Sequence, residues 1–417
     1  MDEVSARVRA QYEEYPYPHW PVETVPEQLS IAASYTLARY ELNHRLAVPD
    51  GKRALIAGCG TGFELHATAA YNPGYAEIIG VDFAEASLKV ARQRVAFHQL
   101  GNCRVLRADL LKPETLPAGP FDYIGSHGVL HHLADPAQGL RHLAARLAPD
   151  GIMAIMLYNR IGRWPLYQAR EALRLLGLYE KPLAQQVSVL RSMIASAQPG
   201  SLFNIITSGD HNTEYYRHDT NLVDNFLHAN DQPLSVGELP AFLAAAGLEF
   251  LGMADQSRWR LATTMHPSCQ PFYEAARGLP GLAQLGVIEA LNPFNNTEMI
   301  FWACHLDQAT APWQFTPTSF RAERWQVNPV FARHAVVTSE SRSGETVRVV
   351  EWPLFFPTQR ALWPDSWQHK ILTSIWHAPK SGEELLAAIP PAGGLGEGEG
   401  HVKWLASWER DRVILRV

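Results

Sequence analysis

The sequence predicts an α/β protein built on an open parallel sheet wound in right-handed crossovers. Three observations predict it. Short apolar runs of strand length alternate with amphipathic helices from Arg53 onward. The first of these runs, ALIA at 54–57, passes directly into a glycine turn, Gly58-Cys59-Gly60-Thr61-Gly62, and an apolar helix begins just beyond. The second run ends on an acidic residue, Asp82, twenty residues past Gly62. A strand, glycine turn and helix followed by such an acid is a unit that brings backbone N–H groups against a nucleoside ligand.

Residues 1–48 read as a helical N-terminal cap interrupted by an aromatic and proline knot, YEEYPYPHWP at 12–21, which cannot be regular helix. Five strands follow within residues 49–160: ALIA at 54–57, EIIGV at 77–81, CRVL at 103–106, FDYI at 121–124 and IMAIML at 152–157. Between the second and third, Leu88, Ala91 and Val95 share one helical face. After Tyr158 the alternation is lost. Residues 161–235 combine helical stretches with a polar aromatic segment, GDHNTEYYRHDT, and are expected to form an inserted lid. LEFLGMA at 248–254 and MIFWACHL at 299–306 complete a seven-stranded sheet within residues 236–308. The remainder, 309–417, shifts to Trp, Pro and Arg. Its β-like RVVEWPLFF, two helical stretches (366–376 and 381–389), Gly-rich hinge at 393–400 and final helix and strand predict a small α+β, winged-helix-like accessory domain.

Composition narrows the function. At 417 residues with 47% hydrophobic and 19% charged residues, the chain supports a large core and excludes bulk disorder. A net charge of -6 provides no overall attraction to nucleic acid or anionic membrane, so a nucleic-acid partner is disfavoured. The start lacks the pattern of a signal peptide and no apolar stretch is long enough for a membrane span, so a cytoplasmic location without a membrane partner is expected. Cys59, Cys103, Cys269 and Cys304 form no CxxC or Cys/His spacing, so reduced thiols and no metal site are expected. Oligomeric state is not legible.

The third strand leads into RADLL, where Asp109 reaches the same switch point as Asp82 and is suited to accept from an adenine amino group. A dinucleotide would require a third glycine at position 63. Phe63 and Glu64 stand there instead, which disfavours a pyrophosphate and suits a cationic sulfonium. S-adenosylmethionine is the cofactor implied. An oxidoreductase of this fold, or a non-catalytic cofactor-binding subunit, are the alternatives.

The motifs IAGCGTG, GVDFAEASLKVAR, RADLL and FDYIGSHGVLHHLADP resemble those of class I S-adenosylmethionine-dependent methyltransferases, with their Rossmann-like seven-stranded sheet. The resemblance implies that Gly58, Cys59, Gly60 and Gly62 pass beside the methionine part, that Asp82 binds the ribose, and that Phe83 and Leu110 flank the adenine. It further places Asp109 on the adenine amino group and Ser126 and His127 near the transferred methyl. YPYPHWP and residues 222–252 are similar, more loosely, to bacterial methyltransferases with a regulatory domain, some of which are protein-lysine methyltransferases.

Methyl transfer is an in-line displacement, so the chain must align an acceptor, exclude water and take a proton where one is lost. Candidates are His127, at the end of the fourth strand, ahead of His131 and His132, which are expected to pack; Tyr17; and His211 with Asp210 in the lid. Tyr12, Tyr15, Tyr17 and Trp20 are expected to form an aromatic cage or a packed plug. The long lid and C-terminal extension favour a protein or peptide side chain as acceptor, with Tyr12, Glu214 and Asp219 contacting it. A small molecule is the alternative.

Overall fold

The computed structural model describes residues 2–26, 31–208, 214–255, 258–308, 315–334, 336–342, 345–351, 361–362, 367–389 and 399–417. The chain divides into two compact units, Met1–Pro26 with Asp50–Asp307 and Glu27–Pro49 with Gln308–Val417.

The first unit is built on the expected seven strands: β1 Arg53–Ala57, β2 Glu77–Asp82, β3 Cys103–Arg107, β4 Phe121–His127, β5 Leu147–Tyr158, β6 Leu248–Met253 and β7 Glu298–His305. Their order is β3-β2-β1-β4-β5-β7-β6. β1 to β5 pair in parallel, whereas β7 runs antiparallel between β5 and β6, with Met156 opposite Ile300 and Phe250 opposite Ala303. The parallel strands are apolar on both faces because helices cover both, and Leu55, Ile79, Val81, Ile124, Ile155 and Phe301 are all buried.

α2, Tyr35–Asn43, lies in the second unit, and three helices of the first position the site: α1 Glu3–Glu14, α3 Phe63–Tyr71 and α4 Glu85–Phe97. Gly62 precedes α3 with φ +83°, and a Cβ there would lie 3.0 Å from the Cα of Ala91 on α4. The glycine is thus required both by its backbone conformation and by the close approach of two helices. Ala84, the N-cap residue preceding α4, offers no side-chain cap. Glu13 supplies one from α1: its carboxylate accepts from the N–H groups of Glu85 (3.0 Å) and Ala86 (2.9 Å). A negative charge on a helix N-terminus therefore fastens the N-terminal helix to the sheet unit.

After α5 Pro136–Ala144 and strand β5, the inserted segment folds as α6 Trp164–Leu175, α7 Leu183–Ala195, α8 Leu202–Thr207 and α9 Asp219–Phe226 around its own core of Leu173, Leu178, Leu190, Leu222 and Phe226. Among the described residues no helix is long and apolar enough to cross a membrane.

The second unit corrects the expected domain boundaries: α2 belongs with the C-terminal residues, so only the first part of the 1–48 cap stays with the sheet. The Tyr40 hydroxyl donates to Glu409 (2.9 Å), and Arg412 pairs with Glu41 (2.7 Å). Two three-stranded antiparallel sheets and a core containing Trp325, Phe331 and Trp408 give the predicted α+β character. Most of the Gly-rich hinge, and the second half of the β-like run RVVEWPLFF, lie outside the described residues.

Candidate active site

A cavity of about 330 Å³ opens at the C-terminal ends of the parallel strands, the crevice that such sheets use for ligands. Gly58, Cys59 and Gly60 line it after β1, Asp82 and Phe83 after β2, and Asp109 and Leu110 after β3. Asp82 accepts from the N–H of Gly60 (3.0 Å) and of Ala84 (2.9 Å). Burial raises its carboxyl pKa, and these backbone donors act against that rise. The Asp109 carboxylate accepts from Leu111 N–H at 3.0 Å. Burial, then the nearby Asp82 charge, pushes the Cys59 thiol well up, so it stays protonated and unreactive.

Two of the expected cofactor residues, Gly62 and Ser126, do not line the cavity. Gly62 is absent from the lining because its lack of a side chain serves the α3–α4 contact instead. Ser126 is fully buried within β4, opposite Ile155, with its hydroxyl unpartnered. His127, the next residue along, does line the cavity.

The knot is a wall of this cavity. Tyr12, Tyr17, Pro18 and Trp20 line it, while Tyr15 packs on the core of the inserted segment. The Tyr17 carbonyl accepts from Thr61 N–H (3.1 Å) and the Pro18 carbonyl from the Thr61 hydroxyl (2.8 Å). Gly60 makes this docking possible: at φ +49°, a Cβ would come within 2.4 Å of the Tyr17 oxygen. Arg94, fully buried on α4, donates to the carbonyls of Trp20 (2.9 Å), Thr24 (3.1 Å), Val22 (3.2 Å) and Thr61 (3.2 Å). One guanidinium thereby ties the knot to the glycine turn. Trp20 stacks on Phe63, ring centroids 5.9 Å apart.

The opposite wall is polar and buried. Tyr158 at the end of β5 and His132 after β4 both line the cavity. The Tyr158 hydroxyl donates to Asp224 Oδ2 (3.0 Å) and that of Tyr12 to Asp224 Oδ1 (3.4 Å). Asn230 fixes two imidazoles: its carbonyl accepts from His132 Nδ1 (2.9 Å), and its N–H donates to His228 Nδ1 (3.1 Å). His132 Nε2 is therefore a lone-pair nitrogen, whereas His228 Nε2 carries the hydrogen and donates to the Tyr12 oxygen (3.0 Å). The two rings stack with centroids 3.7 Å apart. Burial holds both histidines below the usual imidazole pKa and raises those of Asp224, Tyr12 and Tyr158. Arg163 lies 3.5 Å from the Tyr158 ring centre and donates to Asn225.

The expected acceptor residues fare unevenly. Tyr12 and Tyr17 are in the cavity wall, with Tyr17 and Tyr215 sharing a hydroxyl hydrogen bond at 3.3 Å. Glu214 and Asp219 are not: they are exposed and ion-paired with Arg217 and Arg191. Asp219, at the start of α9, reaches Arg191 while the apolar and amide side chains of that helix are buried, and Glu214 pairs with Arg217 three residues on. Asp210 and His211 lie outside the described residues. Tyr158, Asp224, His228 and Arg163 carry no signal in the sequence that singles them out, and His132 is a wall residue rather than mere packing. The expected absence of a metal site rested on spacing alone. The fold brings His131, His132 and Asp231, and also His132, Asp224 and His228, to within 4.8 Å ligand to ligand.

Residues 55–153, which carry β1 to β4, most of β5 and the three acidic and glycine motifs, match the family model described as "Methyltransferase domain". This chain is a class I S-adenosylmethionine-dependent methyltransferase. The methyltransferase is 30% identical over 295 residues to an uncharacterized protein of Synechococcus, covering 70% of each chain. It is 35% identical over 137 residues to a ubiquinone biosynthesis O-methyltransferase of Caulobacter, covering 32% of this chain and 52% of that one. The methyltransferase thus spans about half the length of that relative. Among solved structures, PKMT2 from Rickettsia typhi superposes with a TM-score of 0.60 at 14% identity over 93% of this chain and 75% of that one, a likeness of fold.

Proposed function

We propose that this methyltransferase transfers its methyl group to an oxygen of a small neutral molecule presented to the His132–Tyr158 wall. S-adenosylmethionine, when bound, supplies an electrophilic methyl on a cationic sulfur. The cavity suits it: a carboxylate at Asp82 for the ribose hydroxyls, Asp109 for the adenine edge, and Phe83 and Leu110 as apolar flanks. Tyr12, Tyr17 and Trp20 add electron-rich faces for a sulfonium.

One observation carries the acceptor reading. The His132–Tyr158 wall is hydrogen-bonding and its carboxylates are committed: His132 offers a lone pair at Nε2, Asp224 is occupied by the hydroxyls of Tyr12 and Tyr158, Asp231 is ion-paired with Arg170, and Glu298, which also lines the cavity, is ion-paired with Arg258. A cationic lysine or arginine side chain would need an uncommitted carboxylate there, and the carboxylates expected to serve it, Glu214 and Asp219, face solvent. A hydroxyl needs only a base within reach, and His132, held neutral by burial, can take its proton as the methyl–oxygen bond forms. The O-methyltransferase relative supports the same chemistry. Residues 161–235 would serve as the lid over this wall.

Incubation with tritiated S-adenosylmethionine and a cell lysate, split into macromolecular and small-molecule fractions, tests the reading. Label in the small-molecule fraction, lost with His132→Phe, is expected. Label confined to protein would overturn it and favour the protein side-chain acceptor that chain architecture suggested.

A further inference from the structure

Hydrogen bonding separates the two groups of ligand-type side chains behind the wall. In the His132, Asp224 and His228 group the donors are committed. His228 Nε2 carries its hydrogen toward Tyr12, and both Asp224 oxygens accept tyrosine hydroxyls. Of the three, only His132 keeps an imidazole lone pair without a hydrogen-bond partner.

The His131, His132 and Asp231 group is different. His132 Nε2 is an open lone pair, because Nδ1 is fixed as the donor to Asn230. Asp231 uses Oδ2 for Tyr167 (3.2 Å) and Arg170 (3.2 Å), while its Oδ1 is buried without a hydrogen-bond partner. His131 is 1% exposed, and neither of its ring nitrogens has a partner. Buried polar atoms are ordinarily satisfied, and leaving several in one place is costly. Here the unsatisfied atoms belong to His131 and Asp231, and with His132 these side chains already bring one ligand atom each to within 4.8 Å of one another.

Two imidazoles and one carboxylate suit a first-row transition ion and suit magnesium or calcium poorly, since those prefer an all-oxygen set. The surroundings start balanced, with Arg163 and Arg170 facing Asp224 and Asp231. A divalent ion would bring net positive charge, which an oxygen anion at its remaining position offsets.

We propose that His131, His132 and Asp231 bind one divalent transition-metal ion, of the zinc, cobalt(II) or iron(II) class, beside the cavity. The site stands on donor atoms alone, and an ion held there would occupy the His132 Nε2 lone pair that the acceptor reading gives to a proton. The test is titration of the metal-stripped full-length protein with Co(II), read by visible d–d absorption and by equilibrium dialysis. One equivalent that a hundredfold excess of Mg(II) does not displace is expected. His131→Gln and Asp231→Asn should each weaken it by at least about 100-fold, while Glu214→Gln leaves it unchanged. Binding of S-adenosylhomocysteine by each variant verifies that the cofactor unit is folded. The proposal is overturned if the native protein takes up no Co(II) above the His131→Gln/Asp231→Asn double variant, or if both folded single variants bind as the native protein does. Either result leaves the methyltransferase assignment intact.

Discussion

The two walls of the cavity are made in different ways. The wall on the cofactor side is set largely by backbone: three strand ends, a glycine turn, N–H groups capping Asp82, and a knot whose Tyr17, Pro18 and Trp20 carbonyls are held by Thr61 and Arg94. The opposite wall is set by side chains. His132, Tyr158, Asp224 and Tyr12 come from four separate segments, and each is held by hydrogen bonds to others of the group or to Asn230 and His228. A backbone-built wall depends on a few residues that allow close approach. A side-chain network depends on every member, since removing one strands a buried partner.

Arg94 is where the backbone-built wall is most vulnerable. Arg94→Met should destabilise the protein by about 3–5 kcal/mol, because four carbonyls lose one fully buried charged donor. Thermal and urea unfolding would measure it, and cofactor affinity should fall in parallel as the knot releases Thr61. A stable variant with full affinity would show that the knot is docked by Thr61 alone. Next in size, Asp82→Ala should weaken S-adenosylhomocysteine binding by about 1–3 kcal/mol in calorimetry, the range for hydrogen bonds to a charged acceptor. An unchanged affinity would mean that the ribose is held elsewhere and that the strand ends do not define this wall.

A smaller effect concerns pH. His66 on α3 packs against the His98 ring at 4.0 Å, and burial first, then His98 and Arg94, lower its pKa from 6.5 to about 4. The unfolded chain therefore binds the proton more readily. His66 contributes stability that is complete above pH 6.5 and is lost as pH falls toward 4. In His66→Gln the unfolding free energy should be flatter across that interval. Equal slopes in the two proteins would assign the acid sensitivity to other groups. Smallest of all, Glu214→Gln and Asp219→Asn should change stability by no more than about 0.5 kcal/mol, as exposed ion pairs do, and leave turnover unchanged. A large loss of turnover would return the protein side-chain acceptor to first place.

The cofactor wall is legible in the residue order because its signals are local. Gly58, Gly60, Asp82 and Asp109 each sit immediately after a strand that its own apolar run identifies, so finding the strands finds the residues. Locality does not separate Gly62 and Ser126 from the lining residues: both lie in the same motifs, but Gly62 allows the close approach of α3 and α4 and Ser126 is buried within β4. The acceptor wall has no such signal. Asp224 is one of several acids in a helical stretch, and only its burial separates it from Asp219, five residues earlier on the same helix and half-buried. Nothing in the spacing joins His132 to Asn230 across 98 residues.

The sequence by itself determined the alternation of strand and helix, the glycine turn and the acids that end β2 and β3, because period, propensity and turn chemistry act over a few residues. Only the tertiary structure decided that β7 runs antiparallel between β5 and β6, that Tyr40 and Glu41 pack with the C-terminal unit, and that Arg94 holds the knot. It also decided the tautomers of the buried His132 and His228, through Asn230. Those outcomes depend on which distant groups share a buried space, where every donor and acceptor must find a partner, and residue order alone carries no record of that pairing.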